Sequence, residues 1–548
     1  MSAPRTAVVI GGGISGLASA ALLAREGYDV DLFEQGEQLG GRAGRWSKDG
    51  FRFDTGPSWY LMPDVFDHFF RLMGTTTQRE LDLVRLDPAY RVFFEGEAEP
   101  LDIRSGHDEV TALFEQVEPG AGKAMVRYLE SARTTYDLAV RRFLYTTFES
   151  FPPLVRRDVI TRLGRLGRLL AQPLDRFVAD HVSDSRLQQV LGYPAVFLGT
   201  SPGRAPSMYH LMSHLDLVDG VRYPRGGFSR LVDSIAGLAE GAGARLHTGA
   251  AVTRVVTKAL PENTRRRMPG ARLRRGRLGR GHIARATGVT VRDGDGERFH
   301  AADVVVAAHD LHHLESTLLP EELRDHSARW WDRRDPGPGA VLVLLGVQGG
   351  LPELAHHSLF FTRNWQEHFD VMHGSGDPMP DPASIYVSRT SATDPSAAPE
   401  GAENVFILVP VAADPGLGRG GEDGAGDPGV EQIADAAIAQ VAQWAGVPDL
   451  SERVVVRRTI GPGDFSGDLN AWRGGALGPA HTMGQSAFLR GRISSRRVAG
   501  LHYAGASTIP GIGLPMCLIS AEVMLKSIRG DVSTGPLPEP PPDAGLRA

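Results

Sequence analysis

The chain has almost no cysteine. Cys517 is the only one in 548 residues, which excludes internal disulfides and a cysteine-built metal site and points to a reducing, cytoplasmic setting. Long apolar runs are missing too. No uninterrupted stretch reaches the roughly 20 residues of a bilayer-crossing helix, so any membrane contact must be peripheral. Residues 1–6 lead directly into a strand pattern, and no signal peptide fits there. Basic excess is absent as well: the formal net charge is −6, so the molecule as a whole is not built for nucleic acid. The remainder, 42% hydrophobic and 23% charged, has the balance of a globular protein. A chain of this length exceeds one simple core, and two or more lobes are expected.

Glycine is where the sequence is rich. Ala7-Val8-Val9-Ile10, a buried-strand pattern, runs into Gly11-Gly12-Gly13-Ile14-Ser15-Gly16, and residues 17–25 then read as a helix. In this G-x-G-x-x-G turn, Gly11 permits the tight bend and Gly13 lets a pyrophosphate approach the backbone. Gly16 lets the helix pack close to the strand. The helix N-terminus, with Ser15 in its first turn, offers free N–H groups and a positive dipole end. A second strand, Val30-Asp31-Leu32-Phe33, ends at Glu34. That carboxylate is placed to accept ribose hydroxyls and would repel a 2′-phosphate, which disfavours NADP. Six residues later comes Gly40-Gly41-Arg42. Its glycines allow close approach to a cofactor, and Arg42 can pair with a pyrophosphate oxygen.

Further along, Gly56-Pro57 forces a turn. The aromatics around it, from Phe51 to Trp59, read either as a wall beside a large apolar ligand or as core packing. Residues 61–150 look mainly helical, with a short strand pair near 90–103. Residues 148–154 form an aromatic and proline hinge. The following helix over 155–170 carries Arg156, Arg157, Arg162, Arg165 and Arg168 opposite an apolar stripe. It reads as an interfacial membrane anchor or as a surface helix packing its leucines on the core. Residues 174–215 return to helices. Tyr223-Pro224-Arg225-Gly226-Gly227 opens another helix. Residues 243–246 and 251–255 read as strands, 288–300 as a hairpin, and 303–308 as a buried parallel strand. Residues 265–285 hold nine arginines and read as a disordered hairpin tip, since no aromatics are interleaved for nucleic acid. His309, Asp310, His312 and His313 have helical metal spacing but no further ligand set, so no metal is expected. Residues 340–347, 384–388 and 404–409 look like a second sheet. Residues 414–429 read as a flexible loop, 431–444 as a helix, and 531–548 as a disordered tail.

The terminal run Leu501-His502-Tyr503-Ala504-Gly505-Ala506-Ser507-Thr508-Ile509-Pro510-Gly511-Ile512-Gly513-Leu514-Pro515-Met516 resembles the C-terminal signature of bacterial-type phytoene desaturases. These are carotenoid desaturases within the flavin amine-oxidase superfamily. Gly40-Gly41-Arg42 resembles that superfamily's second FAD fingerprint. With the N-terminal turn, Phe53-Asp54-Thr55-Gly56-Pro57 and residues 223–227, the resemblance spans almost the whole chain. The chain departs from the commonest pattern at Ser507-Thr508-Ile509, at Met516-Cys517 and in the arginine-rich insert.

The resemblance implies an α/β protein with a Rossmann-like, discontinuous FAD-binding domain over 1–60, 222–315 and 485–530. The substrate domain, a mixed sheet plus a helical, membrane-facing lobe, would take 61–221 and 316–484. Carried over by position, Gly505 and Ala506 lie by the pyrophosphate and ribityl chain. Gly513, Leu514, Pro515 and Met516 reach the flavin pyrimidine edge, Gly56, Pro57 and Ser58 join the cofactor site, and Val252 offers a backbone edge to adenine. The implied activity is FAD-dependent desaturation of an apolar C40 carotenoid, phytoene toward lycopene, with oxygen or a membrane quinone reoxidising the cofactor. Hydride goes to flavin N5, and no side chain is assigned as base; Asp54 and Asp310 read as structural. The alternatives are a later carotenoid desaturase, a flavin amine or porphyrinogen oxidase, and a non-catalytic prenyl-lipid carrier.

Overall fold

A computed structural model describes residues 4–148, 163–261, 281–374 and 381–541. At its centre is a five-stranded parallel sheet. Its strand order is Leu501–Tyr503, Val304–Ala307, Thr6–Ile10 (β1), Asp29–Phe33 (β2) and Arg245–His247. Val8, Val9, Val305 and Val306 are buried, as strands covered on both faces require. The helix Ile14–Arg25 (α1) buries nearly its whole length, from Ile14 to Ala24. It packs against the helices Phe228–Gly241 and Leu514–Arg529. One face of the sheet is thus built from the beginning, the middle and the end of the chain.

A smaller antiparallel sheet flanks it, formed by Ala251–Ala259, Ala284–Asp293 and Gly296–Ala301. Val498–Ala499 adds to it in parallel. The hairpin expected over 288–300 closes with Asp293 paired to Gly296. Most of the arginine-rich segment between the first two strands lies outside the described residues.

The second large sheet has seven strands, more than the sequence suggested. Its order is Val454–Ile460, Gly339–Gln348, Ala402–Val411, Ile385–Ser388, His357–Phe361, Tyr90–Phe94 and Leu101–Ile103. The expected strand pair near residue 90 is therefore the edge of this sheet, joined by a parallel pairing of Tyr90–Phe94 with His357–Phe361. The helix Pro428–Ala445 covers one face, setting Val430, Ile433, Ala437 and Val441 on Val341, Val343 and Ile407. Phe51 and Phe53 fill the other face with Leu342, Leu344 and Phe406. A side chain at Gly346 would collide with the Phe51 ring at 2.8 Å, so glycine at this strand position is what seats the phenylalanine. These two aromatics are core, not a ligand wall.

Two expectations are corrected. Residues 414–429 do not form a free loop. Gly420 N–H donates to Asp464 (2.7 Å) and Gly421 N–H to Thr459 Oγ1 (2.9 Å). The absence of side chains lets this segment lie directly on the neighbouring strand, where a Cβ on Gly420 would sit 2.0 Å from Thr459 O. The tail is also ordered through residue 541, and residues 542–548 lie outside the described set. Lys526, fully buried, donates to the carbonyls of Tyr145, Ser533 and Gly535. Leu537 is buried, its N–H donating to Glu522 (2.5 Å). Proline content suggested disorder, but a buried lysine with three carbonyl acceptors satisfies its charge by holding the tail in place.

Of the basic helix, only Leu163–Ala171 is described; residues 149–162 lie outside. Leu169 is buried, whereas Leu170 is 46% exposed, so the expected apolar stripe is split between core and surface.

Candidate cofactor site

The site begins at the end of β1. Gly11 has φ +101° and donates to Phe33 O (2.8 Å), which bends the chain over the tip of β2. A Cβ on Gly16 would come 1.9 Å from Gly11 O, so α1 reaches the turn only because residue 16 is glycine. At Gly13 a Cβ would meet nothing nearer than Gly40 O at 3.8 Å. That side of the turn is open, as a phosphate cradle must be. Ser15 Oγ lies 3.5 Å from Ala308 O.

Glu34 has a role the sequence did not suggest. One carboxylate oxygen accepts from Gly12 N–H (2.6 Å) and the other from Gly36 N–H (2.8 Å). It locks the glycine turn to the turn after β2, and each oxygen keeps a lone pair for a further donor. Ala250 N–H donates to Glu34 O (2.8 Å), which brings the strand start at Val252 to the same corner.

The two glycine motifs meet directly. Gly40 N–H donates to Gly12 O (2.9 Å), and a Cβ on Gly41 would lie 3.3 Å from Gly13 Cα. Arg42 follows, its Nε donating to Ala476 O (2.9 Å) and its Nη2 to Gly475 O (3.2 Å). It makes no ion pair among the described residues. Burial pulls its pKa down, opposed chiefly by the charge of Asp310. A half-buried guanidinium bonded only to backbone carbonyls has charge left over for an anionic ligand. Gly56 is packed on this arginine, since a Cβ there would sit 1.8 Å from Arg42 O. Ser58 Oγ then bonds Tyr386 OH (2.6 Å), and Tyr386 OH bonds His357 Nδ1 (2.8 Å). Burial keeps His357 neutral, well below the usual histidine range. Trp59 stacks on His357 at 5.0 Å and leans on Tyr90, Tyr193 and Phe197. It is this residue, rather than Phe51 or Phe53, that heads an aromatic cluster beside the turn.

The C-terminal run closes the site. Gly505 (φ +111°) rests against Ser15, and its N–H donates to Ser520 Oγ (2.9 Å). Ala506 O accepts from Arg490 Nη2 (2.6 Å). Gly513 (φ +117°) starts the helix Leu514–Arg529, with Pro515 in its first turn and no side-chain cap. The first-turn N–H groups of Leu514 and Met516 have no acceptor within the helix, and the helix dipole adds positive potential there. Glycine cradle, unpaired arginine and two helix N-termini form a donor set that fits a dinucleotide pyrophosphate and an electron-rich ring edge.

Several groups at this site carried no cofactor signal in the sequence, where His309 showed only a helical metal spacing. His309 abuts Gly11, with its Cβ 3.3 Å from where a Gly11 Cβ would lie. Its Nδ1 faces Ile10 O (3.4 Å), and its Nε2 is buried without a partner. Burial lowers its pKa to about 3, so the ring is neutral and Nε2 is an acceptor. His481 accepts from Ile512 N–H (3.1 Å) through Nε2 and bonds Tyr209 OH (2.8 Å) through Nδ1. Arg490, buried and lowered to about 10 by desolvation, donates to the carbonyls of Thr508, Gln485, Pro479 and Ala506. Only the folded chain assembles such isolated residues. The two aspartates set apart as structural are so placed. Asp54, raised to about 6 by burial, accepts from Phe228 and Ser229 N–H and caps the helix Phe228–Gly241. Asp310 accepts from His312, His313 and Trp472 N–H.

The fold and site define a flavin-dependent oxidoreductase. The profile of the family "Flavin containing amine oxidoreductase" matches residues 14–522, and the chain belongs to that family; its cofactor is FAD. Within it the chain is a member of the carotenoid desaturases. It is 39% identical to the carotenoid 3,4-desaturase of Haloarcula japonica, over 96% of this chain and 98% of that one. It is 31% identical to the zeta-carotene-forming phytoene desaturase of Myxococcus xanthus, over 96% and 94% of the two chains. Among solved structures, putrescine oxidase bound to putrescine has the same fold, with TM-score 0.55 and 15% identity over 96% and 99% of the chains.

Proposed function

We propose that this enzyme introduces double bonds into a C40 carotenoid, carrying phytoene toward lycopene. The observation behind this reading is the convergence of Gly11 to Gly16, Gly40 to Arg42 and Gly505 to Met516 around Arg42, a half-buried arginine with no ion pair among the described residues, in a chain whose similar proteins include carotenoid desaturases. In this reading the pyrophosphate lies on Gly11, Gly13, Ser15, Gly16, Gly40, Gly41, Arg42, Gly505 and Ala506. Glu34 and the edge at Val252 take the adenosine. Gly56, Pro57, Ser58 and the helix start at Gly513, Leu514, Pro515 and Met516 would hold the isoalloxazine. The domain division is 1–60, 222–315 and 485–530 for the cofactor, and 61–221 with 316–484 for the substrate.

When bound, FAD supplies a hydride acceptor. The chain's own work is to hold an extended apolar molecule in a dry site at the right distance. Loss of hydride from an allylic carbon leaves a delocalised cation in the substrate, whose neighbouring proton then needs only a weak base. The helix start at 513–516 stabilises negative charge developing at its end. The substrate is dissolved in the bilayer, so the enzyme works from the cytoplasmic membrane surface. Residues 148–170 anchor it there, and among the described ones Arg168 and Leu170 are exposed. With a single nucleotide fingerprint, the electron acceptor is oxygen or a membrane quinone.

A second reading, desaturation of an already conjugated carotenoid, draws on the higher identity to the Haloarcula 3,4-desaturase. Expression in phytoene-accumulating and lycopene-accumulating cells, followed by chromatography of the pigments, separates the two. Coloured products from phytoene support the first. Unchanged phytoene with consumption of lycopene replaces it by the second, and no change in any carotenoid overturns both.

A further inference from the structure

Residues 482–490 turn the usual sorting of side chains inside out. Gln485 and Arg490 are buried, while Met483 is 55% and Leu489 45% exposed. Two apolar side chains held out by two buried polar ones are not what water selects. The hydrogen bonds show that the arrangement is fixed. Gln485 Nε2 donates to Asp335 O and Ala480 O (both 3.0 Å), and Asp335 N–H donates back to Gln485 Oε1 (2.7 Å). Arg490 is tied to four carbonyls. Arg334 Nη1 donates to Gly484 O (2.6 Å), while its guanidinium lies 4.2 Å from the Trp330 ring.

These latches join two segments into an open groove, about 560 Å³, walled by Ser327, Arg329, Trp330, Arg333, Arg334 and residues of 482–485. No carboxylate lines it. Arg329 and Arg333 are exposed and make no ion pair among the described residues. Exposed Asp332 and half-buried Asp335 flank these arginines, but the lining itself holds three arginines and no carboxylate in a chain that carries −6 overall. Tryptophan and arginine line the groove, exposed Met483 falls between its lining residues Thr482 and Gly484, and exposed Leu489 precedes the latch Arg490; this mixture matches the chemistry of a bilayer surface, where headgroups are anionic and the adjoining layer is apolar.

We infer that this ledge is a lipid-docking surface for an anionic bilayer, separate in sequence from the basic segment 148–170. Met483 and Leu489 enter the apolar layer, and Arg329 and Arg333 meet the headgroup phosphates. The same ledge is fastened to the cofactor-facing run, since Arg490 bonds Ala506 O and Thr508 O and His481 accepts from Ile512 N–H. Docking therefore sets that run next to the phase that holds the substrate. This step rests on the carotenoid reading of the substrate.

The test uses the FAD-loaded full chain, sedimented with phosphatidylcholine vesicles with or without phosphatidylglycerol. Arg329→Gln with Arg333→Gln should weaken partition onto anionic vesicles by roughly fivefold per arginine. Met483→Ser with Leu489→Ser should weaken it on both vesicle types. Arg334 is left intact because it latches the groove, and a retained flavin spectrum checks folding. Native-like partition of both double variants overturns the proposal. So does displacement of the protein from vesicles by free glycerol phosphate, which would mark a site for a soluble anion. Conversion of detergent-dispersed carotenoid is scored separately. Its failure in the native protein would strike the desaturase reading and leave the vesicle result standing.

Discussion

Gly505 and Ser15, from opposite ends of the chain, are in contact: a Cβ on Gly505 would lie 2.9 Å from Ser15 Oγ. The first turn of α1 and the terminal signature thus share one wall of the candidate cofactor site, and that wall has no room for a side chain at residue 505. Gly505→Val meets both this clash and a φ of +111°, which β-branched residues rarely adopt. The variant should purify with little flavin, read by visible absorption, while far-UV circular dichroism stays near the native spectrum.

Arg42 and Glu34 should separate in their effects. Arg42→Gln removes the unpaired cation, and a hydrogen bond to a charged group contributes about 1.5–3 kcal/mol, so FAD affinity should fall by roughly ten- to a hundredfold. Glu34→Ala also frees the N–H groups of Gly12 and Gly36, so it should lower both flavin content and the thermal midpoint of the apoprotein. Full FAD retention by both variants would refute the site.

Attachment of the tail should depend on pH. His68 faces Glu522 through Nε2 (3.0 Å) and Glu539 through Nδ1 (2.9 Å). Burial alone would lower its pKa, but the two carboxylates prevail and raise it above 6.5. A raised folded-state pKa means the stabilisation is complete below the unfolded value and fades as pH climbs through the folded one. The protection of residues 531–541, taken as exchange rates corrected for the intrinsic base-catalysed rise, should therefore fall as pH climbs past the usual histidine range. His68→Gln should remove that dependence, and a native-like pH profile in this variant would show that His68 is not the switch.

The basic segment at 148–170 can be tested independently of the ledge. Changing Arg156, Arg157, Arg162, Arg165 and Arg168 to Gln removes charges that near an anionic surface contribute ~1 kcal/mol each. The fraction sedimenting with anionic liposomes should drop sharply. Unchanged sedimentation would assign that segment to another role.

The sequence by itself determined the strand–turn–helix–strand unit at the start of the chain. β1, the glycine turn, α1 and β2 are contiguous, and their pattern follows from strand and helix periodicity and from what glycine permits. Residues 340–347 and 404–409 were legible as strands for the same local reason. The full seven-stranded sheet was not, because its partners come from residues 90–103, 357–361 and 454–460 and pairing is a long-range choice. Residues 531–541 of the tail were misread because proline content says nothing about Lys526, whose burial makes the carbonyls of Ser533 and Gly535 necessary acceptors. Tertiary structure alone decided that Glu34 clamps the glycine turn, that Arg42 makes no ion pair among the described residues, and that His309, His481 and Arg490 stand at the candidate site. Each of these is a matter of which isolated polar group is taken out of water and what it then meets. Local pattern carries no record of that, because desolvation and its remedy belong to the packed chain.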